Sequence, residues 1–121
     1  MLVRRARGRP EGLEFSFRCD APDLRRELDL RIVPSSSRRL VVFRTRRVNE
    51  QPRAHQALLD PAAPRDEDTI EMCSWCDRFQ VGGEWVEVEE AAAALQLFRR
   101  SEMPRISHGI CHRCSAKLLA A

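Results

Sequence analysis

An α+β fold is predicted by three features of the sequence. Strict apolar alternation recurs in the first half, a Gly-Gly turn and a helical stripe occupy the second, and two Cys-x-x-Cys pairs bracket that turn and stripe. The pairs are Cys73/Cys76 and Cys111/Cys114, with 34 residues between them. The expected architecture is a three-stranded antiparallel sheet followed by a small module stapled by four cysteines. The expected partition is a basic arm and sheet over residues 1–50, a linker over 51–69 and a metal-binding module over 70–121.

The elements follow in order. Residues 1–12 form a basic arm with Gly8, Pro10 and Gly12. In Leu13-Glu14-Phe15-Ser16-Phe17-Arg18-Cys19 every second residue is apolar, so one face of a strand is buried. Cys19 shares that face and is read as a small hydrophobe rather than a reactive thiol. Leu28, Leu30 and Ile32 alternate with Asp29 and Arg31 as a second strand, and Leu40-Val41-Val42-Phe43 opens a third reaching Val48. Three strands on short links make a meander that exposes an edge and one face, so it needs a cover or a partner. Pro52, Pro61 and Pro64, with the Asp66-Glu67-Asp68 run, mark the linker.

Gly82-Gly83 between β-prone runs predicts a hairpin, because both positions can take positive φ. Val88, Ala91, Leu95 and Phe98 fall on one helical stripe, with acids in the first turn and Arg99-Arg100 in the last, before Pro104 stops the helix. The second cysteine pair then opens a final helix through Leu119.

Four thiolates on two tight turns suit one tetrahedral zinc ion, with Cys73, Cys76, Cys111 and Cys114 as ligands. A thioredoxin-like redox dithiol needs a single Cys-x-x-Cys beside a βαβ pattern; four cysteines can also hold iron–sulfur, but the usual ferredoxin spacings are absent. Four protein ligands close the shell and leave no position for a water, so the zinc is structural rather than catalytic. His108, three residues before Cys111, could replace a cysteine as ligand; an outer hydrogen-bonding partner of the site or a packed turn residue is the simpler reading. His55 and His112 are read as solvated, and Trp75 and Trp85 as core beside the metal. No Ser-His-Asp set, carboxylate pair or phosphate-cradling loop is recognisable, and a non-enzymatic protein is expected.

The net charge of +3 divides unevenly: residues 1–60 carry 14 arginines against 8 acids, and residues 61–121 carry 7 basic residues against 10 acids. The basic half is compatible with nucleic acid, but the arginines are not interleaved with aromatics, and a solvated sheet surface is the simpler reading. Met1-Leu2-Val3 runs at once into Arg4-Arg5, unlike a secretory leader, and no apolar stretch is long enough to span a bilayer. A cytoplasmic protein is expected, with a protein partner or self-association and with neither membrane nor small-molecule substrate.

Cys73-Ser74-Trp75-Cys76, the hairpin with Gly83 and Trp85, and Ser107-His108-Gly109-Ile110-Cys111 with Cys114 together resemble a cysteine-rich module of bacterial signalling proteins. That module ends chains carrying PAS sensor or response-regulator receiver domains. The resemblance covers about residues 70–119. It implies a treble-clef-like zinc module, with the second ligand pair at a helix start, working in signal transduction. His112 stands where the family has proline. Residues 13–50 resemble the last three strands of a PAS domain, without the helices and earlier strands of the whole fold.

Overall fold

The computed structural model describes residues 4, 11–35 and 40–120. Most of the expected basic arm and the connection at 36–39 lie outside them. The first sheet is antiparallel, in the order β1 (Leu13–Arg18), β2 (Leu24–Pro34), β3 (Val41–Pro52). Its register sets Leu13 beside Ile32 and Ile32 beside Phe43, then Phe15 beside Leu30 and Leu30 beside Thr45. The alternation seen in the sequence thus becomes one apolar face, on which Leu13 and Ile32 are buried and Phe15, Leu30 and Val41 pack around them. Cys19 falls just beyond β1 and is exposed.

The second sheet has the order β6-β5-β4-β7, with β4 at Arg65–Cys73, β5 at Phe79–Val81, β6 at Glu84–Val86 and β7 at Met103–Gly109. β5 and β6 form the expected hairpin, and Gly82 and Gly83 take φ of 58° and 85° at its turn. β4 and β7 pair in parallel, Ile70 beside Ile106 and Cys73 beside Gly109. A parallel pair needs a long crossover. Here it contains the hairpin, helix α1 (Val88–Ala94) and a 3-10 turn at Leu97–Arg99. Helix α2 (His112–Ala120) closes the chain as described.

Three local expectations change. Residues 65–69, assigned to the linker, are the first half of β4, and β3 runs on through Pro52. The acidic run sits within the strand because Arg100 bonds both Asp66 and Asp68, while Arg65 bonds the carbonyls of Leu58, Asp60 and Pro104. The helix expected to reach Arg100 stops at Ala94, where Gln96 adopts a left-handed φ of 52°. That reversal turns Leu97 into the core in place of Leu95 and Phe98, which are exposed.

The main core is built by Leu58, Ile70, Phe79, Val88, Ala91, Leu97 and Met103. It supports one side of β4 and so fixes where β4 ends, at Cys73. The two sheets meet at the same place. The Arg18 N–H donates to the Trp75 carbonyl at 2.7 Å, and the Phe15 and Trp75 rings lie 6.1 Å apart, tilted by 51°. Among the described residues no helix is long and apolar enough to cross a membrane.

Candidate metal centre

The first cysteine pair lies where β4 breaks into a turn. The Cys73 N–H donates to the Arg78 carbonyl at 2.8 Å, and the Asp77 N–H donates back to the Cys73 carbonyl at 3.0 Å. Closing so tight a loop puts Asp77 at a φ of 58°, a region that aspartate tolerates better than most residues. The loop is anchored to β7 by the Ser74 N–H, 2.9 Å from the Gly109 carbonyl. Parallel pairing of β4 with β7 therefore brings Cys111, two residues past Gly109, to the Cys73 turn.

The second pair opens α2. Cys111 precedes the helix, its carbonyl accepts the Ser115 N–H at 2.9 Å, and its sulfur accepts the Cys114 N–H at 3.4 Å. A sulfur standing at the N-cap meets an otherwise unpaired amide and the positive end of the helix, both of which favour the thiolate.

The four sulfurs of Cys73, Cys76, Cys111 and Cys114 all lie within 4.8 Å of one another, and those of Cys76 and Cys111 are 3.7 Å apart. Tetrahedral coordination with metal–sulfur bonds of ~2.3 Å puts sulfurs about 3.8 Å apart, so the donors fit one ion. Cys73, Cys111 and Cys114 are buried, and Trp75 and Trp85 pack against the group. None of the cysteines is in a disulfide.

The proton chemistry agrees with that fit. Burial opposes ionisation of Cys73, but backbone hydrogen bonds from Cys111, Cys76 and Trp75 outweigh it and bring the thiol down to about 7. Burial pushes Cys76 up to about 11, helped by the sulfurs of Cys73 and Cys111. Cys114 is raised by burial and then by its sulfur neighbours. A first thiolate is stabilised and further ones repel it, a conflict that a divalent cation removes. The four cysteines can hold a metal ion.

His108, expected beside the metal, is exposed on β7 and is not among the grouped donors. His112 is exposed at the start of α2, and His55 faces Asp60 at 3.3 Å.

Sequence reasoning missed the ion cluster behind the site. Arg18 bridges Asp20 and Glu87, Arg53 reaches Asp20 and Glu89 at 2.8 Å each, and Arg78 lies 3.2 Å from Glu87. Burial works against charge on Arg18 and Glu87, but their mutual bond together with Asp20 raises Arg18, and the same bond together with the charges of Arg18, Arg25 and Arg78 lowers Glu87. Partners so far apart in sequence leave no periodic signal.

Compared with protein-family models, curated proteins and solved structures, the chain matches none.

Proposed function

We propose that the protein is a non-enzymatic zinc-binding interaction module, working on other proteins in bacterial signal transduction. The observation that carries the reading is the closed group of four sulfurs. Cys73, Cys76, Cys111 and Cys114 would hold one zinc ion, whose contribution is to cross-link the end of β4 to the start of α2. An all-thiolate shell offers no open position for substrate or water, which supports a structural rather than catalytic metal. The order of turn pair, hairpin, helix and helix-opening pair supports a treble-clef-like arrangement. The signalling context rests on the resemblance of residues 70–119 to the cysteine-rich module of PAS and receiver proteins, and a cytoplasmic location on paired Cys-x-x-Cys motifs, which in a reducing compartment hold metal rather than disulfides.

Native mass spectrometry of the purified protein tests the reading, because one spectrum gives metal content and subunit number. One zinc per chain supports it. A chain that carries no metal when zinc is supplied, or one that carries iron, overturns it.

A second reading is favoured by the exposed arginines Arg44, Arg46 and Arg47 on β3: a nucleic-acid-binding regulator. Binding to a mixed DNA and RNA pool that weakens steeply with salt supports it, and no binding at low salt removes it.

A further inference from the structure

We propose that the outer edge of β3 is a docking strand for an extended peptide of alternating acidic and apolar residues. The inference rests on the protein-interaction reading above and names its partner class. β3 is the last strand of its sheet and is 12 residues long, and every residue from Val42 to Pro52 is exposed. An edge of that length presents a row of backbone N–H and C=O groups to which another strand can bond.

The side chains specify which strand. Arg44 stands opposite Arg31 and Arg46 opposite Asp29, so both arginines share one face. Phe43, opposite Ile32, and Thr45, opposite Leu30, share the other. Phe43 ends the row Leu13–Ile32–Phe43 and is 55% exposed, although Leu13 and Ile32 are buried. A strand added to the edge alternates in step with β3. Its residues on one face meet Arg44 and Arg46, and those on the other extend the apolar row. Acid and apolar side chains in alternation satisfy both.

Charge separates this occupant from two others. β3 carries Arg44, Arg46 and Arg47 against Glu50 alone, so pairing with a second copy sets like charges together. A phosphate backbone carries charge on every unit and no apolar side chain to extend the Phe43 row, so it does not match the alternation of arginine and apolar faces on β3. Arg44 has no carboxylate partner among the described residues.

The test uses the zinc-supplied full chain and labelled peptides of about eight residues, roughly 27 Å when extended. One alternates Glu with Val and the other alternates Lys with Val. The expected result is binding of the Glu–Val peptide at least about tenfold tighter than its Lys–Val counterpart, with backbone amide shifts at residues 42–48. The double variant R44E/R46E reverses the preference, and that reversal shows that the variant is folded. Equal binding of both peptides overturns the proposal, as does displacement of the Glu–Val peptide by oligo-dT. A chain that dimerises through β3 overturns it too. Failure of both peptides to bind overturns the β3 assignment, while the zinc content decides the metal reading separately. Peptide shifts confined to other surfaces overturn the β3 assignment but leave the interaction reading standing.

Discussion

The backbone N–H of Asp20 donates to the Asp77 carboxylate at 2.8 Å, across 57 residues of sequence. Asp77 belongs to the turn that carries Cys73 and Cys76, and Asp20 follows β1. This bond, with Arg18 N–H to Trp75 carbonyl beside it, makes the cysteine turn part of the wall on which the first sheet rests. Holding the sulfurs in place therefore also holds the sheet.

Replacing Asp77 tests that coupling. Asp77→Ala removes a buried acceptor and puts a β-carbon residue without a local hydrogen bond at φ 58°. The two effects together cost about 2–3 kcal/mol. Asp77→Asn keeps an acceptor and tolerates the left-handed region, so its cost stays below about 1 kcal/mol. Urea unfolding of the metal-loaded protein measures both. The Asp20 amide resonance should move in Asp77→Ala and hold nearly still in Asp77→Asn.

Metal exchange should be coupled to protons and to tertiary structure. Zinc bound at pH 7 should release about three to four protons per ion, read by calorimetry in buffers of different ionisation heat. Chelation should remove the near-ultraviolet dichroism of Trp75 and Trp85, which pack on the cysteine group. Cys73→Ser or Cys114→Ser should weaken zinc binding by more than the roughly 10–100-fold that loss of an outer partner costs. Cys19→Ser should change nothing, because Cys19 is exposed and outside the group.

What could be read beforehand was local. Leu13 to Arg18 declares its period, Gly82-Gly83 declares a turn, and two Cys-x-x-Cys pairs declare that four sulfurs converge. The β4–β7 pairing was hidden because it joins segments separated by a hairpin and a helix, and parallel partners carry no turn between them to announce the match. β4 was hidden twice, since Asp66, Glu67 and Asp68 resemble a solvated loop until Arg100, far along the chain, is placed on them. The end of α1 was misread because Leu95 and Phe98 continue the stripe arithmetically, whereas the backbone at Gln96 leaves the helix. The sulfur group was legible because zinc-like spacing is a covalent fact of sequence; the ion cluster behind it depends on tertiary proximity alone.

The pH dependence of stability should carry the signature of Glu87. Burial opposes its ionisation, but Arg18 first and then Arg25 and Arg78 hold it below its ordinary 4.5. A depressed carboxylate contributes stability that is complete above its unfolded pKa and is lost as pH falls through the lower folded value. Glu87→Gln should therefore cost about 1–2 kcal/mol at neutral pH, a figure already reduced for its partial exposure. The gap from the parent protein should stay constant down to about pH 5 and close below 4.5. Asp77 has the opposite sign. Burial raises it to about 6, so its protonation favours the folded chain as pH falls from 6 toward 3.8. Comparing Glu87→Gln with the parent at each pH removes most of that contribution, because both proteins keep Asp77 and the Glu87 charge is only a minor cause of its rise beside burial.

Phe79 offers the sharpest test of how the core supports the metal site. Its side chain is fully buried among Ile70, Val88, Ala91 and Leu97, at the strand that follows the cysteine turn. Its Cα neighbour across the ladder is Met72, the residue before Cys73. Phe79→Ala deletes a ring at the centre of a small core and should cost about 3–4 kcal/mol. In a unit this size that is a large share of the total, so the metal-free variant should be largely unfolded. Zinc stabilises the folded arrangement of the four sulfurs to the extent that it binds this more tightly than the unfolded chain, so raising free zinc should restore the fold by mass action. An excess of 100-fold over the dissociation constant returns at most about 2.7 kcal/mol. Thermal unfolding followed at several zinc concentrations reads this directly. A melting temperature of Phe79→Ala that does not rise with zinc would separate the core from the sulfur site and break the proposed linkage.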